Sequence, residues 1–426
     1  MNVVDYTKLG KGTKINLSEK KISLSISNIC WFLFGLQVFM SNVTKHSIFY
    51  KLSASLFIGL CFLYLLTHKA IKINKYYLIT LVFVIYNAIF IFLGDVTNAY
   101  HSFQMLKTIS INLVLYILTY SFLVYTSNTD KLIKLYINIS ALSNLVILFM
   151  FRDSLFTGRL AFSWGNSVSS YQLFGINVIT SGSNGIAYYS AIGFLFSAYL
   201  FLTNRKKVRY VLFNLLFVFT IFATGSRKGL IILAVSCVFL INILNKKSKK
   251  VVYGIIAIGL IILTYFLTKN VPALYEVIGS RMEELFNLIL NKSVNDASIN
   301  TRMTLIKIAV DFIKAQPIFG YGLDAFRIIG PWEIVSDNNY LDILVSSGII
   351  GFIIYYSYVL LVLYDYWRIK KKSNICKIFF FVFILNLIME YAQVTYFERS
   401  YGIINTMLFY ILYNERKGDK NEKTSK

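Results

Sequence analysis

Charge is scarce in this 426-residue chain: Asp, Glu, Lys and Arg make up 15% of it, against 57% hydrophobic residues. With a mean hydropathy of +0.62, that balance excludes a soluble globular protein of this length and leaves a polytopic membrane protein. Three prolines and 23 glycines are too few for long linkers or disorder. Only three histidines occur, His46, His68 and His101, and they are dispersed, so no metal site is expected on them. The four cysteines, Cys30, Cys61, Cys237 and Cys376, sit in or beside apolar runs without paired spacing. They read as packing residues rather than disulfides or thiolate ligands. A phosphate-cradling glycine loop, HExxH and GxSxG are all missing, which argues against a nucleotide-driven pump, a metalloprotease or a lipase-type hydrolase. No cofactor is expected.

What is present is a series of apolar runs. They fall near 23–40, 47–67, 76–94, 105–126, 132–151, 185–203, 208–224, 229–244, 251–268, 340–363, 378–391 and 402–412. In hydrocarbon the backbone must satisfy itself, so each reads as a helix, giving an all-α bundle of about twelve spans. The last two runs are short, so a closely spaced pair of spans or one re-entrant segment would fit them. Residues 1–22 form a basic tail, and no small-residue cleavage site follows the first run, so that span is expected to stay. The bundle then divides into 23–268, with about nine helices, and 340–413, with about three. Between them lies an outer segment, 269–339, and a tail, 414–426, follows. The formal charge of +23 is not a nucleic-acid footprint, because the cations cluster between spans. The segments that would face the cytoplasm hold 28 Lys and Arg. The outer ones hold 13, seven of them in 269–339. Both termini are therefore expected on the cytoplasmic side of the cell membrane.

The outer segment is 71 residues long and patterned, too large for an ordinary loop. Within 302–314, Met303, Ile306, Val310 and Ile313 follow helical spacing, and 273–290 carries a similar stripe; both suggest amphipathic helices. Four features on the outer face carry chemistry. Gly158-Arg159-Leu160 lies in a loop that ends at Asn184, at a span mouth. Gly225-Ser226-Arg227-Lys228 forms a tight turn. Asn300-Thr301-Arg302 opens the second stripe, and Ser336-Asp337-Asn338-Asn339 leads into a span. Cations held at an outer boundary are costly unless something anionic uses them. Guanidiniums can grip a diphosphate bidentately, and Asp337 could take a proton from an attacking hydroxyl. Against this, each arginine alone is more often an interfacial anchor, and Asp337 could simply cap the next helix.

The order of these features resembles the O-antigen ligase and polymerase family (Wzy-type polysaccharide polymerases). The resemblance covers residues 159–351 and rests on Arg159 with Asn184, TGSRKG at 224–229, and NTR at 300–302. It also rests on PIFGYGLDAF at 317–326 and DNNYLDILVSSGIIG at 337–351. It implies an inverting, metal-independent glycosyltransferase acting on saccharides carried by undecaprenyl diphosphate. Arg159, Arg227 and Arg302 would then face the diphosphate, with Lys228, Asn184, Asn338 and Arg281 as further candidate contacts. Asp337, Arg227 and Arg302 are the catalytic candidates. Ligases of the family commonly carry a His before the Asn-x-Tyr-Leu stretch, where this chain has Asp337. That difference favours a polymerase of O-antigen, capsule or exopolysaccharide repeat units over a ligase. A lipid-linked oligosaccharide flippase or other transporter is a further alternative, as is a glycosyltransferase using a polyprenyl-monophosphate sugar, which the lack of an acidic pair in the first outer loop, 41–46, counts against. Expected partners are the lipid-linked oligosaccharide, membrane lipid, and chain-length regulator and flippase proteins, with no nucleic acid.

Overall fold

The computed structural model describes residues 13–43, 47–93, 97–152, 170–173, 176–179, 182–203, 208–243, 270, 275 and 297–424. Five helices come first: α1 (Thr13–Val43), α2 (Ile48–Thr67), α3 (Lys75–Leu93), α4 (Ala99–Thr126) and α5 (Thr129–Met150). A short antiparallel hairpin, β1 (Ser170–Leu173) with β2 (Ile176–Ile179), leads to α6 (Ser183–Thr203), α7 (Val208–Ala223) and α8 (Arg227–Ile243). Then follow α9 (Ala297–Ala315), α10 (Ala325–Ile329), α11 (Asn339–Arg368), α12 (Asn374–Glu390) and α13 (Arg399–Thr424). Every apolar run of the sequence within the described residues is a helix; the run 251–268 lies outside them, as does the stripe at 273–290 apart from Tyr275. Seven of the helices, α1–α6 and α11, are long and apolar enough to cross a membrane. The fold is all-α and polytopic, the hairpin being a small addition before α6.

Side-chain caps start many of these helices. Ser47, Asn98, Asn128, Asn338 and Ser373 each accept a hydrogen bond from an amide of the following first turn. The bundle centres on α6, which packs on α5, α7 and α8; 78% of its apolar window is buried, against 22% for α3 at the periphery. Towards the C-terminal end of α11, the buried carboxylate of Asp365 accepts from Lys75 Nζ at 2.9 Å, from Arg416 at 2.7 Å and from the Tyr76 hydroxyl. That cluster ties α3, α11 and α13 together.

Two motifs of the sequence turn out to be one structural device. Helix α11 is interrupted at Gly348, where φ is 61° and ψ −170°. The carbonyls of Val345 and Ser346 accept instead from Tyr321 N (2.9 Å) and Gly322 N (2.8 Å), and Ile349 N donates to Pro317 O (2.9 Å). The segment 317–322 thus replaces a missing helical turn, as a buried backbone requires. A Cβ on Gly348 would lie 2.1 Å from Ile318 O, and one on Gly320 2.6 Å from Val345 O. Close backbone contact therefore demands both glycines.

The stripe expected on α9 is displaced. Its buried ridge is Leu305 and Ala309, packed with Phe326 and Val345 and flanked by Ile308, Phe312 and Ile313. Met303 is 56% exposed. Apolar residues occur on more than one side of this helix, so spacing alone did not select the ridge. Residue 302 lies three before Leu305 and seven before Ala309, on the inward side of α9.

Candidate active site

The site begins where α6 and α8 meet. Ser226 caps α8, its Oγ accepting from Gly229 N at 3.3 Å while donating to Asn184 Oδ1 at 2.8 Å. Asn184, in the first turn of α6, therefore fixes the turn that presents Arg227 and Lys228. Close helix contact sharpens this: a Cβ on Gly229 would come within 2.5 Å of the Ala187 Cβ. Arg227 and Lys228 occupy the first turn of α8, which has no acidic residue. Cations there oppose the helix dipole, whose positive end favours anions.

Lys228 Nζ donates to the carbonyl of Ala392, 2.5 Å away in the turn after α12. Across the site, Arg302 Nε donates to Asp337 Oδ2 at 3.3 Å. Charges of all three groups act on one another. Burial pushes the Asp337 carboxyl above its ordinary range, and Arg302 and Lys228 only partly offset this. Burial lowers the Lys228 ammonium to about 8, with Arg302 pressing the same way and Asp337 opposing. A carboxylate of raised basicity thus stands beside two cations in a partly dehydrated setting.

The backbone under Asp337 is held from both sides. Asp337 itself adopts a left-handed conformation, φ 58°. Before it, Ser336 donates from N (3.3 Å) and Oγ (3.0 Å) to Asp342 Oδ2, and Asn338 N donates to Ser336 Oγ (3.3 Å). After it, Asn338 Oδ1 accepts from Tyr340 N (3.0 Å) and Leu341 N (3.2 Å). The cap of α11 is therefore Asn338 and not Asp337. The Asn339 amide accepts from Thr395 N (2.8 Å) and Tyr396 N (3.0 Å) and donates to Tyr356 Oη (2.8 Å).

Of the residues expected from the sequence, Lys228, Arg302 and Asp337 come together, Arg227 adjoins Lys228, and Asn184 supports their turn. Asn338 lies beside them with its side-chain oxygen engaged in capping. Arg159 and Arg281 lie outside the described residues. Sequence reasoning missed Asn339, Ser226 as the link to Asn184, Glu390 and the turn at 391–396. Glu390 carried a signal, since it is the acid inside the run 378–391, and acids within spans are rarely idle.

A family model described as O-antigen ligase matches residues 212–356, from α7 through the break in α11. Over those residues the chain is similar to an O-antigen ligase domain, consistent with the O-antigen ligase and polymerase family. This region holds Arg227, Lys228, Arg302, Asp337 and Asn338, whereas Asn184 and the 391–396 turn support it from outside. No curated protein matches the chain.

Proposed function

We propose that the protein is a membrane glycosyltransferase that polymerises undecaprenyl-diphosphate-linked oligosaccharide repeat units into a surface polysaccharide. One observation carries this reading: Asp337 is paired with Arg302 beside Lys228, on a backbone fixed at both neighbours. The Asp337 carboxylate takes the proton of an acceptor hydroxyl as its oxygen bonds to the anomeric carbon from the face opposite the diphosphate. The anomeric carbon–phosphate oxygen bond breaks, leaving the new glycosidic bond inverted and undecaprenyl diphosphate as product. Arg227, Lys228 and Arg302, with the amino end of α8, meet the charge that develops on that leaving group. The positively charged first turn of α8 supports this: it is unfavourable by about 0.3–1 kcal/mol per cation when empty and favourable once an anion binds.

On this reading the enzyme lies in the cell membrane with both termini cytoplasmic, as the distribution of Lys and Arg favours, and with the site outward, where flipped lipid-linked substrate arrives. A flippase and a chain-length regulator are its expected partners. Purified protein in lipid, given lipid-linked repeat units, should build a ladder of lengthened glycans. The family description favours a second reading, transfer of finished polymer to an acceptor lipid. A deletion strain separates them: single repeat units on the surface glycan indicate a polymerase, and accumulated unattached polymer a ligase.

A further inference from the structure

Glu390 is the last residue of α12, 3% exposed, and among the described residues no lysine or arginine forms an ion pair with it. A carboxyl in such surroundings is costly unless hydrogen bonds compensate, and an apolar residue would pack there at less cost. Its two oxygens are used separately: Oε2 accepts from Tyr356 Oη at 2.8 Å and Oε1 from Thr395 Oγ1 at 3.0 Å. Asn339 closes the circuit, donating to Tyr356 Oη at 2.8 Å and accepting from Thr395 N at 2.8 Å. The result is a ring of four residues from α11, α12 and the turn between α12 and α13.

The ring joins both halves of the site. Asn339 is two residues after Asp337. Ala392, whose carbonyl holds Lys228 Nζ at 2.5 Å, is two residues after Glu390, and its own N–H returns to Met389 O at 2.9 Å. Lys228 on α8 and Asp337 before α11 are thus fixed to one short turn. We propose that Glu390 is a positioning residue that sets Lys228 relative to Asp337 by holding that turn in place. Members of a hydrogen-bonded ring support one another, so losing one loosens the others. The inference rests on reading Lys228 and Asp337 as site groups, but it makes a claim about geometry that is measurable without turnover.

The experiment compares wild type, Glu390→Ala and Glu390→Gln in lipid nanodiscs. Acetylation of Lys228 by an N-hydroxysuccinimide ester is followed by mass spectrometry, with exposed Lys307 as internal reference. Glutamine can still accept from Tyr356 and can donate to Thr395, so it should behave as wild type within about threefold. Alanine should raise Lys228 modification relative to Lys307 roughly fivefold or more. With lipid-linked oligosaccharide it should lower kcat by up to about 10²-fold while KM stays within about threefold, the pattern of a displaced catalytic arrangement. Unchanged Lys228 modification in folded Glu390→Ala overturns the proposal, as does an equal loss in Glu390→Gln. If Glu390→Ala does not fold, Thr395→Val removes one edge of the ring and takes the same test with the same outcomes. Absence of glycan lengthening by wild type would refute the polymerase reading alone; the modification rates would still decide the positioning claim.

Discussion

Replacing Asp337 by Asn separates chemistry from structure unusually well at this position. Asparagine tolerates the left-handed conformation at φ 58° as readily as aspartate, so the change adds no backbone strain. Capping of α11 is untouched because Asn338 performs it. Arg302 keeps an acceptor at its 3.3 Å contact, and the ion pair becomes a bond from a charged donor to a neutral amide oxygen, a loss of about 1 kcal/mol. Removing a carboxylate that burial already disfavours offsets part of that loss. The melting temperature should therefore move by only a few degrees. A general base, by contrast, contributes about 10²–10⁴-fold, or roughly 3–5 kcal/mol of barrier. Glycan lengthening and thermal melting are measured on one Asp337→Asn preparation in lipid. A fall of at least a hundredfold in kcat with the melting point nearly constant supports the base. Retained turnover would remove Asp337 from the chemistry and leave the cations as the site.

Four further outcomes follow from the same geometry. The pH profile should be bell-shaped, with activity rising as Asp337 loses its proton, above the ordinary carboxylate range, and falling as Lys228 loses its own near 8; a flat profile from pH 5 to 9 contradicts both roles. Arg302→Gln removes a cation that holds Asp337 down, so the acidic limb should move to higher pH as well as kcat falling; an unmoved limb in a variant with residual activity breaks the coupling. Arg227→Lys should insert and melt normally yet lose most product, because an ammonium cannot reproduce a bidentate grip; full activity returns Arg227 to an interfacial anchor. Gly348→Ala should abolish folded protein, since its Cβ would lie 2.1 Å from Ile318 O, and normal yields of a monodisperse variant would show that the α11 break is misread.

Hydropathy predicted the helices and not their ends, for a physical reason. It registers the part of a helix that meets lipid, whereas hydrogen bonding continues into water. Helix α1 starts ten residues before its apolar run, and α13 extends from the run 402–412 through Thr424. The charged candidates were legible because cations and acids are conspicuous at the edge of apolar sequence. Their pairing was not: Arg302 and Asp337 are 35 residues apart, and the ridge that turns Arg302 inward, Leu305 and Ala309, was masked by a competing stripe through Met303.

Asn338 and Asp337 show the finer limit. Neighbouring Asp and Asn before a helix have nearly equal capping tendency, so spacing cannot assign the cap. The fold assigns it by the left-handed turn at Asp337, which leaves Asn338 in extended backbone, φ −145°, the conformation a cap needs. Once the asparagine caps, the aspartate carboxylate is directed to Arg302 instead. The same turn thus starts the helix with one residue, Asn338, and equips the site with the residue before it, which is why substituting Asp337 can test reactivity while the helix stays intact.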